Sequence, residues 1–248
     1  MAAPLLGRPA VGRAGVDFGD VQGLVRFGYG RMTEACFWLL SIRDPAAARA
    51  WLATARVADA VERRTPPATA MQVALSAEGL RALGVPERVM AGFAPEFLSG
   101  MAGEESRSRR LGDVGADAPS RWRWGGPGRV PHLLVLLYAE RGRLAEWQRT
   151  VQGDRWAAAF GEIECLATSD LDGIEPFGFR DGISQPALDW DGERRTEGDQ
   201  LEYGNLLALG EFLLGYPNEY GKITERPLVD ARDDPLGALL PAEDVPAQ

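Results

Sequence analysis

Apolar and polar positions alternate along this chain in a way that marks out four strands and two main helices. Glu34 to Ile42 (EACFWLLSI) is a nearly continuous apolar run closed by Asp44-Pro45, which predicts a buried strand. Pro45 suits the first turn of a helix, where its missing N–H is no loss. From Ala46 to Arg64 the chain is alanine-rich, with Trp51, Leu52, Ala55, Ala58 and Val61 at helical spacing. That spacing predicts a long helix ending at Thr65-Pro66-Pro67. Thr69 to Leu75 (TAMQVAL) predicts a second strand, and Ser76 is placed to cap a short helix from Ala77 to Leu83, stopped by Gly84 and Pro86. Glu87 to Met101 predicts short helical turns broken by Gly92 and Pro95. Ala102 to Gly128 reads as a long, polar, glycine-rich loop holding Trp122 and Trp124; loops of that length in a compact domain usually carry function or bind a partner. Val130 to Ala139 (VPHLLVLLYA) is the strongest strand signal, followed by a helix from Gly142 to Thr150 with Leu144 and Trp147 on one face. Glu162 to Thr168 alternates apolar and polar residues and predicts a fourth strand.

The order of these elements is β-α-β-β-α-β, with short helices embellishing a crossover. This is the ferredoxin-like pattern of the α+β class, with an antiparallel four-stranded sheet and helices on one face. The polar, glycine-punctuated stretch Asp17 to Tyr29 needs something to pack on before it can be ordered. Beyond Asp170 the periodicity fades, and Asp189 to Leu201 reads as a charged linker. Gly210 to Gly221 (GEFLLGYPNEYG) is a glycine/aromatic segment with a short apolar centre. The expected division is a disordered leader over residues 1–16, one domain over 17–225, and an exposed tail or linker over 226–248.

Composition narrows the chemistry. The 248 residues are 45% hydrophobic and 25% charged, ordinary for a globular protein, and the net charge of -9 disfavours nucleic acid as a partner. No stretch approaches the ~20 apolar residues of a membrane span, and the N-terminal residues lack the apolar core of a signal peptide. A cytoplasmic location is the expectation. Cys36 and Cys165 lie far apart in sequence and match no CxxC pattern, so they are expected as two buried thiols in a reducing compartment. His132 is the one histidine, so a Ser/His/Asp triad or a histidine-rich metal site would have to use it, and no residue near it cooperates. A satisfied strand histidine is the expectation, with no metal ligand assigned in this chain.

The densest chemistry is in Glu175-Pro-Phe-Gly-Phe-Arg-Asp-Gly-Ile-Ser-Gln-Pro186. Glycines at 178 and 182 permit positive φ and close approach of the backbone to a flat ligand. Asp181, held beside phenylalanines, is either a solvated aspartate in a glycine turn or a partly desolvated acid suited to proton transfer.

The segments together resemble the dye-decolourising peroxidases, haem enzymes that oxidise organic substrates with hydrogen peroxide. The resemblance rests on Asp20-Val-Gln-Gly23, the run Phe37 to Ile42, Gly79-Leu-Arg-Ala-Leu-Gly84, Glu96-Phe97 with Gly100-Met101, Leu111-Gly112-Asp113, and Val130 to Tyr138. It continues through Phe177 to Pro186, where Gly178 to Gly182 fits the family's GxxDG signature, and through Gly210 to Gly221. The resemblance implies that Asp181 is the distal acid that moves the peroxide proton. It places Gly182, Ile183 and Ser184 against the porphyrin, and it gives Arg180 a local ion pair or a contact to a haem propionate. Family members have two ferredoxin-like halves with haem between them, and the second half supplies the axial histidine and the distal arginine. The chain matches the first half, so the resemblance implies the N-terminal subunit of a two-chain, hetero-oligomeric peroxidase, sharing haem b with a C-terminal partner chain and acting on hydrogen peroxide and an organic electron donor. The alternative is a haem-free scaffold or binding module derived from such an enzyme. Trp122, Trp124, Trp190, Tyr203 and Tyr216 could in principle relay electrons, but packing is the expected role of most of them, since aromatic residues mainly supply buried area.

Overall fold

The computed structural model describes residues 15–168, 178, 186–192, 206–229 and 232–233. Its centre is a four-stranded sheet of β1 (Glu34–Ile42), β2 (Thr69–Leu75), β3 (Leu133–Ala139) and β4 (Phe160–Ala167), in the order β2-β3-β1-β4 with every pairing antiparallel. The order and the crossovers make the fold ferredoxin-like, as the sequence pattern predicts. Side chains alternate between the two faces of a strand, so register decides which residues meet. Cys36, Trp38 and Leu40 of β1 stand opposite Leu137, Val135 and Leu133 of β3, which stand opposite Met71, Val73 and Leu75 of β2. This face carries the main core. It buries against Ala48 and Trp51 of α1 (Pro45–Leu52), Val151 of α6 (Leu144–Gln152), and Trp156 and Ala159 of α7 (Trp156–Ala159). Trp51, Trp156 and Phe160 pack edge-to-face with centroids 5.1 to 5.4 Å apart, an arrangement that suits the ring quadrupoles. The Trp51 indole N–H donates to the Val151 carbonyl at 3.0 Å, so the buried polar handle is satisfied.

The helix after β1 is shorter than its alanine spacing predicts. Asp44 caps its start, its carboxylate accepting from the Ala46 and Ala47 N–H groups at 2.8 and 3.1 Å. The helix ends at Leu52, where the Thr54 hydroxyl bonds back to the Ala50 and Trp51 carbonyls. Beyond it the backbone serves the sheet edge instead. Ala58 donates to the Met71 carbonyl at 2.9 Å, and the Gln22 amide brackets Val73, accepting from its N–H and donating to its carbonyl. These contacts occupy an edge strand that would otherwise offer open pairing groups.

The insertion between β2 and β3 carries α2 (Ala77–Ala82), α3 (Glu87–Met90), α4 (Pro95–Ser99) and α5 (Glu105–Leu111). Ser76 caps α2 as expected, its hydroxyl accepting from Gly79 N at 3.1 Å. A side chain at Gly79 would place its Cβ 1.9 Å from the His132 carbonyl oxygen, so only glycine lets α2 lie against the entry to β3. The expected loop over 102–128 is in part helical. Glu104, Glu105, Arg107 and Arg109 stabilise α5 through i,i+3 and i,i+4 ion pairs, and Gly112 ends it in the left-handed region. The rest of that stretch holds 3-10 turns at Gly115–Asp117 and Pro119–Arg121.

A second, smaller core joins the two ends of the described chain. Val16 and Phe18 bury against Ala60, Leu188 and Leu209, with Trp190, Leu213 and Tyr216 around them. Here β5 (Ala187–Leu188) runs parallel to β6 (Leu206–Leu207). Asp189 is buried, and its N–H donates to Leu207 O at 3.0 Å. The stretch expected to start a charged linker therefore begins as ordered structure; residues 193–205 lie outside the described set. Residues 226 and 227 pack on Gly92, and Asp233 pairs with Arg88.

Candidate functional site

The residues expected to carry the chemistry, Arg180, Asp181, Gly182, Ile183 and Ser184, lie outside the described residues, as do residues 1–14 of the expected leader and Tyr203. The structure does define what holds the segment at either end. On one side β4 ends at Ala167, and Thr168 N donates to Ala35 O at 3.3 Å. Within the motif, Gly178 has φ +84°, the left-handed region that its glycine permits. On the other side Pro186 leads into β5, which sits in the second core beside Trp190. Trp190 packs edge-on to Phe18 at 5.4 Å, and the Arg26 guanidinium covers the Phe18 ring at 4.0 Å.

The glycine/aromatic segment after β6 is the neighbour of this anchor. It forms a tight reversal in which Gly210 N donates to Pro217 O at 3.0 Å. A Cβ at Gly210 would lie 2.2 Å from Tyr216 O, so the turn requires glycine there. Asn218 shapes the second bend, its side-chain oxygen accepting from Tyr220 N and Lys222 N at 3.0 Å. Phe212 and Leu214 stand out into solvent at 52% and 55% exposure, whereas Leu213 and Tyr216 turn inward. Burial, with Asp20 and Asp17 nearby, pushes the Tyr216 phenol up.

The sheet face opposite α1, α6 and α7 is apolar, and the described residues cover it only in part. Phe37 and Leu39 of β1 pair with Leu136 and Leu134 of β3, and Phe37 also stands opposite Leu166 of β4. Phe37, Leu134 and Leu136 are half-buried and Leu166 is 38% exposed. The β2 side of this face is closed by the N-terminal segment. Tyr29 stacks on Tyr138 at 5.1 Å, Tyr138 meets Phe37 at 5.8 Å, and Gln72 lies buried below, donating to the Tyr29 hydroxyl at 2.9 Å.

His132 sits just before β3 and not within it. Its N–H donates to Leu40 O at 2.8 Å and its Nδ1 accepts from Ile42 N at 3.1 Å. With Nδ1 an acceptor, the neutral ring carries its proton on Nε2, so neither nitrogen offers a free lone pair. A haem iron needs an axial donor. Among the described residues no group of three His, Cys, Asp or Glu side chains could hold a metal ion. The described residues thus do not by themselves fit a complete haem site. Trp122 and Trp124 line a cleft of about 610 Å³ with Phe97, Met101 and His132. The Trp122 N–H is used locally, donating to Asp117 O at 2.8 Å.

Sequence reasoning missed one pairing. Cys36 and Cys165, expected as separate buried thiols, place their Sγ atoms 2.8 Å apart, with Cys36 buried and Cys165 half-buried. No linear motif signals this, since it depends on the register of β1 against β4.

The described residues thus form a ferredoxin-like sheet with helices on one face and a partly exposed apolar surface on the other. No family model matches the chain. Dye-decolorizing peroxidase msp1 of Mycetinis scorodonius is 30% identical over 222 residues, covering 83% of this chain and 40% of that protein. Dye-decolorizing peroxidase AauDyP1 of Auricularia auricula-judae is 25% identical over 195 residues, covering 75% of this chain and 36% of that protein. A crystal structure of a decolorizing peroxidase from Auricularia auricula-judae matches with a TM-score of 0.62 at 23% identity, over 84% of this chain and 45% of that one, a likeness that shows the fold. The chain belongs to the dye-decolourising peroxidase family. It spans about 40% of the length of the curated relatives it matches.

Proposed function

We propose that the chain is the N-terminal half of a haem peroxidase of the dye-decolourising type, and that it acts with a complementary C-terminal half carried by a second chain. The observation that carries this reading is the apolar sheet face of Phe37, Leu134, Leu136 and Leu166, which the described residues leave only partly covered. An apolar surface of this kind marks an interaction site. The match covers 40% of the length of Dye-decolorizing peroxidase msp1, which supports reading the chain as one half of such an enzyme.

In this reading haem b, shared between the halves, would supply the iron chemistry that cleaves peroxide, and the complementary half would bring a histidine to hold the iron and an arginine for the peroxide side. Asp181 of this chain accepts the proton from one peroxide oxygen and returns it to the other, a transfer that a close, partly desolvated carboxylate performs well. Gly182, Ile183 and Ser184 present backbone to the porphyrin, and Arg180 pairs locally or with a propionate.

The test is peroxide consumption by the assembled pair. Asp181→Asn, nearly isosteric, should lower the rate by about 10²–10⁴-fold while leaving haem content unchanged. Unchanged turnover in that variant would remove Asp181 from the reaction.

A further inference from the structure

Cys36 and Cys165 are separated by 129 positions in sequence, yet their sulfurs are 2.8 Å apart. Their proximity follows from strand register. Cys36 stands opposite Ala167 and Trp38 opposite Cys165, so the two cysteines are diagonal neighbours on the helix-facing side of β1 and β4. Cys36 is 1% exposed in the main core. Cys165 is half-buried and lies on β4, the edge strand of the sheet among the described residues. A metal site would need further donors, and no third His, Cys, Asp or Glu among the described residues joins the pair. The sulfurs are thus already close to the ~2.0 Å of an S–S bond.

We propose that Cys36 and Cys165 are an oxidisable dithiol, which hydrogen peroxide converts to an intramolecular disulfide that pins β4 to β1. The roles of the two thiols follow from their surroundings. Burial, and then the hydrogen bond and charge of Cys165, push the Cys36 thiol up to about 12, so Cys36 is a poor first nucleophile. Cys165, the more accessible sulfur, attacks one peroxide oxygen as its thiolate. The O–O bond breaks, hydroxide leaves, and Cys165 becomes a sulfenic acid. The Cys36 sulfur then attacks the Cys165 sulfur. The S–S bond forms as the S–O bond breaks, and the departing oxygen takes the Cys36 proton to leave as water. In sum, two thiols and one peroxide give one disulfide and two waters, a two-electron oxidation with peroxide as the electron acceptor. The reaction needs no haem and does not rest on the peroxidase reading.

The bond would close a loop of 129 residues and restrain the outer strand that leads into the segment bearing Asp181. Closing a long loop lowers the entropy of the unfolded chain, so the oxidised form should melt several degrees higher. The experiment treats the reduced 248-residue chain with stoichiometric hydrogen peroxide. Free thiols are then trapped by alkylation, and intact mass and peptides are read under non-reducing conditions. The expected result is a mass loss of about 2 Da, no alkylated cysteine, one peptide pair linked through Cys36 and Cys165, and reversal by a dithiol reductant. With Cys36→Ser, Cys165 should instead gain oxygen and stop at sulfenic or sulfinic acid. The proposal is overturned if both cysteines of the unaltered chain alkylate fully after peroxide, if Cys165 gains oxygen without linkage, or if the linkage joins two chains.

Discussion

Tyr29 is the only non-glycine residue among those described with a positive φ, 48°. Its position is held by what lies around the hydroxyl. Gln72 Nε2 donates to it at 2.9 Å, and Gly23 makes room, since a Cβ there would come within 2.4 Å of the phenol oxygen. Burial pushes the Tyr29 phenol up to about 12, with Tyr138 and Asp59 adding to the rise and Arg63 opposing it. The folded pKa therefore exceeds the unfolded value of about 10, so the folded state is favoured fully below that pH and loses ground as pH rises through about 12. Tyr29→Phe should flatten the alkaline loss of stability above pH ~10, measured as denaturation midpoint against pH; an unaltered slope would contradict the burial account. At neutral pH the same variant should cost about 1 kcal/mol, because Gln72 loses an acceptor. Individual residues were unevenly readable in the sequence. The anchors Phe18, Trp190 and Tyr216 carry no signal of their mutual packing, and the Cys36–Cys165 contact is a product of register. The role proposed for Asp181 rests on its flanking pattern, and Asp181 lies outside the described residues.

The strands were the most readable elements, because a buried strand writes itself as a short apolar run. The bounds of β1 and β2 match the runs Glu34 to Ile42 and Thr69 to Leu75. The helices were less so. The alanine-rich run after Pro45 has the right period for a long helix, but residues 58–60 find better partners in β2 and the N-terminal segment, through Met71 O, Phe18 O and Val21 O. Tertiary hydrogen bonds overrode a weak local preference. The opposite error hid α5, which is stabilised by charge pairs and has no apolar stripe to reveal it. Two substitutions test the packing between elements. Gly79→Ala should destabilise the chain by about 1–3 kcal/mol in chemical denaturation, since its Cβ would overlap the His132 carbonyl. Trp156→Ala should cost about 3–5 kcal/mol, because it opens a cavity beside Trp38, Trp51 and Phe160. A neutral result for either would show that the helices sit differently on the sheet.

Among the described residues, two cores and one partly exposed apolar face organise the chain. The ferredoxin-like order could be read from the succession of elements, and the helix-side core followed from it. The second core could not, since it joins residues near 16–21 to residues near 187–216 through irregular backbone that has no period. No helix among the described residues is long and apolar enough to cross a membrane. The face of Phe37, Leu136 and Leu166 is where the account places the complementary half. Leu166 already meets solvent, so Leu166→Lys should change the stability of this chain by no more than about 0.5 kcal/mol. The same change should abolish association with the complementary half in size-exclusion chromatography, because it leaves a charge unpaired within an apolar interface. Association at unaltered strength would move the interface to another face.

The central claim is that this chain holds half of a haem site. The direct measurement is the absorption spectrum of haem titrated with this chain, with the C-terminal half of a family member's sequence, and with both together. A Soret band of a ligated haem protein is expected only when both halves are present, saturating at one haem per pair. The same band from this chain alone, or no band from the two halves after they associate, would contradict it.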